Sequence, residues 1–413
     1  MEKNRIDFMK KTSDIVISGL GITSAIGQGK KSFFSALMEG RSTFGVMKRP
    51  GRQKESAFLG AEIAYLYISE SLRPTVKKAS FSAQVALVTL AEAWEEAKLM
   101  DANSRKVGLI IGGSNIGQRE LLLNYQKYES QPYFIRPQYG MTFMDTDLCG
   151  WCTEQFCIQG MSYTVGGASA SGQLAILQAI QAVRSGQVES CVALGALMDL
   201  SYLECQAFRS LGAMGSNRFA EKPSQAYRPF DQDRDGFIYG ESCGAVVVEL
   251  LDTAIKRGAT PKAMISGWSI VIDGHRNPDP SLQGECKVIK QALAEAKLFA
   301  EDIDYINPHG SGSKIGDETE VKAIKKCGLS HAPINATKSI TGHGLTAAGA
   351  VEVVATVLQM NSSQLHPSLN LDTPIDLSLE WIKKATPHVM NHALTLSFGF
   401  GGINTAFCLT KIK

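Results

Sequence analysis

The stretch SYTVGGASASGQLAILQAIQAVRSG, residues 162–186, decides the fold of this chain. It begins as a strand-like run, breaks at a Gly/Ser turn, and continues as an apolar helix that ends at Gly186. A second stretch, NATKSITGHGLTAAGAVEVVATVLQM at 335–360, has the same construction. The two lie in opposite halves of the chain and suggest a duplicated core, although any two strand–helix units look alike to this degree.

Apolar runs of two kinds alternate along the chain. Strands are predicted in DIVISGLG, KVGLIIGG, SCVALGAL, CGAVVVEL, AMISGWSI and HALTLSFG, the last of which we expect to be the final strand. Apolar spacing of three and four predicts helices in SAQVALVTLAEAWEEAKL and CKVIKQALAEAKL. This alternation predicts an α/β architecture with helix-covered sheets.

The length of 413 residues exceeds the ~250–300 residues at which one hydrophobic core stops growing. We therefore expect two halves, 1–255 and 256–413, with the boundary where LDTAIKRGATPKA turns polar near 252–263. A net charge of +2 gives no indication of a polyanionic partner. The start, MEKNRIDFMKKTSD, lacks the apolar segment of a signal peptide, and no run of about 18 apolar residues predicts a membrane span. With nine cysteines that read as reduced thiols, we expect a soluble cytoplasmic protein.

Ser169 lies in the Gly/Ser turn just before the first of these helices. A nucleophile there would be close to the helix N-terminus, and neighbouring amides could stabilise an oxyanion. A serine in such a turn is more often only a helix cap. The turn also nearly matches the G-x-S-x-G motif of α/β-hydrolases, but Ser171 occupies the position of the second glycine.

Two histidines follow strand-like runs in the C-terminal half, His309 in YINPHGSGS and His343 in ITGHGLTAAG. One such histidine would more often be structural, but two His-Gly pairs indicate a site, and Lys338 supplies a cation that could orient them. Neutral imidazoles can donate hydrogen bonds to a carbonyl oxygen that gains charge. In SFGFGGINTAF, the Phe400 amide would be a second oxyanion donor if this glycine turn faces Ser169.

Three further patterns fall short of a binding site. DQDRDG at 231–236 begins like a calcium loop, but Ser242 stands at position twelve and a strand follows. Cys149, Cys152 and Cys157 have zinc-like spacing without a second ligand pair, and their segment predicts a helix. GLGITSAIG matches a dinucleotide fingerprint only in part. We therefore expect no metal and no cofactor of the protein's own.

Together these segments resemble the β-ketoacyl-ACP synthases, or ketosynthases, over nearly the whole chain. The resemblance rests on ISGLGITSAIG, YRPFDQDRDGFIYGESCGAVVVE, NPHGSGSKIGDETE, NATKSITGHGLTAAGA and SFGFGGINTA, which stand in the family's order. It implies the thiolase fold: duplicated αβαβα layers with two mixed five-stranded sheets, usually in a homodimer.

The resemblance also implies which residues form the catalytic site. The family's cysteine falls on Ser169, its two histidines on His309 and His343, its lysine on Lys338, and its gating phenylalanine, also an oxyanion donor, on Phe400.

Four further positions match the segment around the first histidine. The threonines that commonly hold the phosphopantetheine of an acyl carrier protein (ACP) fall on Ser311 and Ser313, which retain the hydroxyls. Asp317 and Glu320 match acidic positions of the family, for which we expect supporting roles behind the site.

The departure from the family is the serine at 169. A ketosynthase loads an acyl chain onto its cysteine, decarboxylates malonyl-ACP, and joins the two. A thiol with a pKa near ~8.5 is partly ionised, whereas a serine hydroxyl needs a strong general base, so acyl loading should be poor. Decarboxylation needs only stabilisation of the enolate oxygen. Ketosynthase-like proteins with this serine resemble the malonyl-ACP decarboxylases of trans-acyltransferase polyketide β-branching cassettes, so we expect malonyl-ACP to give acetyl-ACP and CO₂.

Two alternatives stay open at the level of sequence. One is a non-catalytic partner subunit like a chain-length factor, and the other is an acyltransferase or hydrolase that uses Ser169 covalently. Arg73, Lys77 and Lys78 form a basic stretch that could contact an acidic carrier protein, with a solvated charged face as the alternative.

Overall fold

The computed structural model describes residues 14–412. The N-terminal stretch in which we expect no signal peptide therefore lies almost wholly outside the described residues. Among residues 14–412, no helix combines the length and apolar character needed to cross a membrane.

The described residues form strands and helices that alternate for most of the chain. The strands are β1 Ile15–Ser24, β2 Gly27–Gln28, β3 Phe44–Val46, β4 Leu59–Ala61, β5 Val107–Gly112, β6 Ser162–Val165, β7 Ser190–Gly195, β8 Tyr239–Gly240, β9 Ser242–Leu250, β10 Ala263–Ile272, β11 Tyr305–Asn307, β12 Gln364–Leu365, β13 Thr386–Pro387, β14 His392–Gly399 and β15 Ile403–Thr410. The α-helices are α1 Lys30–Glu39, α2 Arg73–Val76, α3 Phe81–Glu96, α4 Gln118–Tyr128, α5 Tyr139–Thr142, α6 Thr146–Gln155, α7 Ser171–Arg184, α8 Tyr202–Ser210, α9 Leu251–Arg257, α10 Leu282–Ala296, α11 Lys314–Lys326, α12 Lys338–Thr341 and α13 Ala348–Ser362.

The strand order repeats between the two halves of the chain. The first half runs β6-β5-β7-β9-β1, and the second runs β11-β14-β15-β10. In each half the first long strand pairs antiparallel with the last, β1 with β9 and β10 with β15. Toward the other edge of each sheet the strands pair in parallel, β5 with β7 and β11 with β14. The predicted duplicated core is therefore confirmed.

The second half differs from the first at its outer edge. The counterpart of β6 is a single residue, Ile334, which pairs in parallel with Ile306. Pro333 stands directly before it and has no amide hydrogen for a ladder, which limits pairing at this edge. The two sheets are also joined, because β1 pairs with β10 at Val16–Met264 and Ile17–Ala263.

Helices α7 and α13 lie between the two sheets and form the central layer of the fold. Both are buried along most of their length, while α3 covers β1 and β9 from outside and α10 covers β10 and β15. The result is the five-layered αβαβα arrangement that the family resemblance implies. The two central helices approach each other closely, since a Cβ at Gly172 would lie 2.5 Å from the Ala350 nitrogen.

All six predicted strands and both predicted helices are present, and the segment with Cys149 and Cys152 is helical as expected. The prediction that HALTLSFG is the final strand is wrong. The glycine turn at 400–402 is a hairpin, with φ of 87° at Gly401 and 78° at Gly402, and it leads into β15. The boundary between 1–255 and 256–413 falls inside α9, and that division stays a prediction.

The central helix contact predicts a stability difference between two glycines. Gly172→Ala should lower the free energy of unfolding by about 1–3 kcal/mol, because the added methyl group has no room beside Ala350. Gly150→Ala is the control, because Gly150 lies in α6 with nothing within 4 Å of an added Cβ, and helix propensity predicts a gain of up to ~1 kcal/mol. Denaturant unfolding measures both, and equal stability of the two variants would contradict the packing described.

Candidate functional site

Turns from both halves of the chain meet around one cavity of about 730 Å³. Ser169 lies between β6 and α7, His309 follows β11, His343 follows α12, and Phe400 follows β14. All four line this cavity, together with other side chains from both halves. The duplicated architecture brings them together, because it places the N-termini of α7 and α13 side by side.

Ser169 is not the cap of helix α7. The N-cap position is Ala170, and no side chain caps the helix. The Ser171 Oγ instead bridges the preceding turn, accepting from the Gly167 amide at 2.9 Å and donating to the Ala168 carbonyl at 2.7 Å. Ala168 has φ 47°, a left-handed conformation that costs a residue with a Cβ about 1–2 kcal/mol. Strain of this kind is concentrated at functional sites, and here it turns the Ser169 hydroxyl toward the cavity. No local sequence pattern marks this strain.

The Nε2 atom of His343 lies 3.1 Å from the Ser169 Oγ. On the other side of the ring, Nδ1 accepts a hydrogen bond from the Leu345 amide at 3.2 Å. Burial and the nearby Lys338 cation lower the pKa of His343 well below its ordinary value, so the ring is neutral. Since Nδ1 accepts, the single ring proton is on Nε2, which donates toward Ser169. His343 therefore cannot remove the proton of the serine.

His309 is held in the same neutral state by its surroundings. Burial lowers the pKa of His309 most strongly, followed by Lys338 and His343. The Lys338 ammonium donates to the His309 carbonyl, lies 3.5 Å from its Nδ1, and forms an ion pair with Glu352 at 2.5 Å. A cation beside Nδ1 leaves the ring proton on Nε2. The two imidazoles stand with centroids 5.6 Å apart and planes at 79°.

Glu320 and Asp317 hold the loop that carries His309 from behind. The two Glu320 oxygens accept from the His309 amide at 2.6 Å and the Gly310 amide at 2.8 Å. Asp317 accepts from the Phe230 amide at 2.7 Å and the Gly312 amide at 2.9 Å. Burial raises the pKa of Glu320 to about 8 and that of Asp317 to about 6, against the opposing effect of these amides.

Ser311 and Ser313 line the cavity where this loop enters helix α11. Their hydroxyl oxygens are 2.9 Å apart, and the Ser313 Oγ caps the helix by accepting from the Gly316 amide at 3.2 Å. The Ser311 carbonyl accepts from the Tyr227 hydroxyl at 3.1 Å. Both hydroxyls are thus fixed in position before any ligand arrives.

Aromatic rings surround the polar groups of the cavity. Phe400 is 39% exposed, with its ring 6.4 Å from that of Phe208. Phe398 lies 5.6 Å from His309, and Phe237 lies 5.3 Å from His343, edge to face. We did not foresee Phe208 or Phe237. No local pattern marks Phe208, whereas Phe237 stands within the YRPFDQDRDGFIYGE segment that carries the resemblance.

The basic stretch Arg73, Lys77 and Lys78 lies on and just after the short helix α2, with all three residues exposed. None of them lines the cavity. Their part in binding a carrier protein stays a prediction.

The arrangement is suited to stabilising negative charge on an oxygen atom. Two neutral imidazoles, both buried, each offer an N–H to the same cavity, and such donors act most strongly where the access of solvent is limited. The Lys338–Glu352 pair fixes the orientation of one of them. The hydroxyl of Ser169 is present, but the histidine that contacts it is a donor and not a base.

Comparison with known proteins identifies the family of the chain. Residues 12–254 match the family model for the β-ketoacyl synthase N-terminal domain, and residues 262–372 match that for the C-terminal domain. The chain is 60% identical over 402 residues to the polyketide biosynthesis malonyl-ACP decarboxylase PksF of Bacillus subtilis (strain 168), covering 97% of both chains. It is 30% identical to the 3-oxoacyl-[acyl-carrier-protein] synthase 2 of Coxiella burnetii over 100% of both chains.

Solved structures give the same answer for the fold. A β-ketoacyl synthase from Burkholderia phymatum matches with a TM-score of 0.88 at 26% identity, covering 97% of this chain and 100% of the other. The ketosynthase in the AntDE:AntF complex of a type II polyketide synthase with its acyl carrier protein matches with a TM-score of 0.85 at 27% identity and the same coverage. The chain belongs to the β-ketoacyl synthase family and has its thiolase fold.

Proposed function

We propose that this protein decarboxylates malonyl-ACP to acetyl-ACP and CO₂ in polyketide biosynthesis, without forming a carbon–carbon bond. The observation that carries the proposal is the hydrogen bond from the Leu345 amide to Nδ1 of His343, from which we infer a ring proton on Nε2. It leaves a charge-stabilising donor at the site and no base for the serine. The 60% identity to a malonyl-ACP decarboxylase supports the same activity.

The reaction follows from where the donors lie. With the thioester oxygen of malonyl-ACP between the Nε2–H groups of His309 and His343, both hydrogen bonds strengthen as that oxygen becomes an enolate oxygen. The electron pair of the breaking C–C bond then moves into the thioester, and CO₂ leaves. Each donor of this kind contributes about 10²–10³ in rate.

Ser169 explains why the reaction stops there. Condensation requires an acyl group on residue 169, and a serine hydroxyl forms such an ester only with a base to accept its proton. His343 donates to this hydroxyl, and the Lys338 ammonium is paired with Glu352 on the far side of His309. The absence of a suitable base also argues against an acyltransferase or hydrolase that uses Ser169 covalently.

The substrate would reach the site on the phosphopantetheine arm of its acyl carrier protein. Ser311 and Ser313 present fixed hydroxyls to the cavity, and we propose that they contact that arm. Phe400 lines the same cavity and would act as its gating residue. The enzyme would need no cofactor of its own. A cytoplasmic location follows from the sequence prediction alone.

A chain-length-factor-like subunit is the remaining alternative. A subunit without catalysis does not need a buried Lys338–Glu352 ion pair next to two neutral histidines, because burying charge costs free energy. We therefore favour the enzyme.

The decarboxylation prediction concerns the two histidines. His309→Ala and His343→Ala should each reduce acetyl-ACP formation by about 10²–10³ or more, because each removes an enolate donor. Mass spectrometry of malonyl-ACP incubated with each variant measures the loss of CO₂. Ser169→Ala is the control and should retain activity. Loss of activity in Ser169→Ala would show that the nucleophile-free mechanism is wrong.

A second prediction concerns protonation. Because burial lowers the pKa of both His309 and His343, their rings should remain neutral, with the proton on Nε2, as the pH falls through 6.5, the ordinary histidine value. Nitrogen NMR of histidine-labelled protein, assigned with the alanine variants, measures this directly. A ring that takes up a proton near pH 6.5 would contradict the site described.

We also propose a homodimer. Strand β6 lies at the edge of its sheet, and its Thr164 hydroxyl donates to the Asp145 carbonyl at 3.0 Å. The segment that leads to Asp145 carries many exposed apolar side chains: Tyr133, Phe134, Met141, Phe143 and Met144. An apolar patch beside an open strand edge is a usual protein interface. Light scattering on the purified protein should give twice the mass of 44.6 kDa. A monomer at micromolar concentration would contradict this proposal.

A further inference from the structure

Loss of CO₂ leaves the enolate one proton short of acetyl-ACP. In a condensing enzyme the carbanion attacks an acyl thioester, so no proton is required at that carbon. Given the proposed function, the carbon here must instead take a proton from an acid in or near the cavity. The donors that stabilise the enolate oxygen do not by themselves supply a proton to this carbon.

The groups already described are poorly suited to it. His309 and His343 are neutral, and their Nε2–H groups are aimed at the oxygen. Lys338 lies on the far side of His309 in an ion pair with Glu352. Both Glu320 oxygens accept hydrogen bonds from backbone amides.

Glu285 is a different kind of carboxyl group. It stands in the first turn of helix α10, lines the same cavity as Ser169, and is only 1% exposed. Its Oε2 is buried without a hydrogen-bond partner, and no cation in residues 14–412 forms an ion pair with it. A buried carboxyl without donors or a counter-ion is more stable as the neutral acid.

The acidic neighbours of Glu285 act in the same direction as its burial. Burial raises the pKa of Glu285 well above the ordinary value, and repulsion by the nearby acidic groups of Glu320, Cys286, Asp273 and Asp317 opposes a further negative charge there. These groups lie on helices α10 and α11 and on the loop after β10. At neutral pH, Glu285 therefore carries the proton that an ordinary glutamate has lost.

The first turn of α10 is packed tightly against this part of the cavity. A Cβ at Gly284 would lie 1.8 Å from the Asp273 Oδ1 and 2.9 Å from the Asn404 Nδ2, and both of these side chains line the cavity. The tight packing limits how far the backbone of Glu285 can move relative to the site.

The other carboxyl groups that line the cavity in the described residues are different. Asp235 accepts a hydrogen bond from the Ser216 hydroxyl at 2.6 Å and pairs with Arg218 at 3.0 Å, so it has both a donor and a counter-ion. Asp273 is half-buried, and Asp279 is exposed. Among them, Glu285 alone is buried without a donor.

We propose that Glu285 is the acid that protonates the enolate carbon. The O–H bond of the carboxyl breaks, a C–H bond forms on the substrate, and Glu285 is left as a carboxylate. It regains a proton from water that enters the cavity after acetyl-ACP leaves. The net reaction consumes one proton for each malonyl-ACP converted to acetyl-ACP and CO₂, and no oxidant or reductant is involved.

The test compares Glu285→Gln with Asp279→Asn, which removes an exposed carboxyl at the same cavity. Glu285→Gln keeps the size and a hydrogen-bond donor but has no proton to give. Its kcat for acetyl-ACP formation should fall about 10²-fold or more, with KM for malonyl-ACP little changed. Asp279→Asn should behave like the wild type.

Two further readouts separate an acid from a structural residue. In the wild type, kcat should fall as pH rises through the pKa of Glu285, because only the protonated form donates, and this decline should be absent in Glu285→Gln. An enolate that waits for a proton can recapture CO₂, so Glu285→Gln should incorporate more ¹³CO₂ into malonyl-ACP per product formed. If Glu285→Gln folds poorly, Glu285→Asp should retain the decline at high pH.

A wrong assignment of Glu285 and a wrong decarboxylase proposal give different results in this test. If the wild type makes no acetyl-ACP, the decarboxylase proposal itself is wrong. If the wild type is active and Glu285→Gln matches it in kcat, pH profile and ¹³CO₂ exchange, the acid is water or another group and the assignment of Glu285 is overturned.

Discussion

The close passage of two buried helices, at the contact between Gly172 and Ala350, is the constraint on which the site depends. It places the N-termini of α7 and α13 side by side, and these ends carry Ser169 from one half and His343 from the other. The glycine at the crossing allows the close approach of the two helices, and the Ser169 and His343 side chains lie 3.1 Å apart beside it. A larger residue at position 172 would push the two helix ends apart, and with them Ser169 and His343, without replacing either of these side chains.

Around that contact, the protonation states are set by local bonds. The Leu345 amide fixes the tautomer of His343, and Lys338 fixes that of His309. Both rings are therefore donors, which suits an oxygen that gains charge and does not suit a serine that must lose a proton. The serine in place of the family's cysteine and the tautomer of His343 both disfavour acylation of residue 169. The chemistry moves from residue 169 to the imidazole pair and, in our proposal, to the acid Glu285.

Much of this fold follows from the sequence, because its elements are long and periodic. The apolar runs that became β1, β5, β7 and β9 are clear without any tertiary information, as are the two helices flanked by glycines. We did not predict strand β15, because the glycine turn at 400–402 indicates the end of a strand equally well. In the structure this turn is a hairpin that joins β14 to β15. The pairing of the single residue Ile334 at the outer edge of the second sheet was not predicted, although Pro333 directly before it limits pairing there.

The site was predictable only in part, for a related reason. Ser169, His309 and His343 stand in motifs with glycines at fixed positions, so their meeting could be expected. The strained Ala168, the hydrogen bonds of Ser171 within the turn and the unpartnered Oε2 of Glu285 are products of packing. Glu285 lies in an ordinary amphipathic helix, and its character arises entirely from the carboxylates and apolar groups that surround it in the folded protein.

In the proposed mechanism, turnover proceeds without an acyl-enzyme. Intact-protein mass spectrometry of the enzyme, sampled while malonyl-ACP is being consumed, detects whether an acyl-enzyme forms. We expect acetyl-ACP to accumulate while the enzyme keeps its unmodified mass at every time point. A malonyl or acetyl adduct that maps to Ser169, and that forms and decays at the rate of turnover, would contradict it.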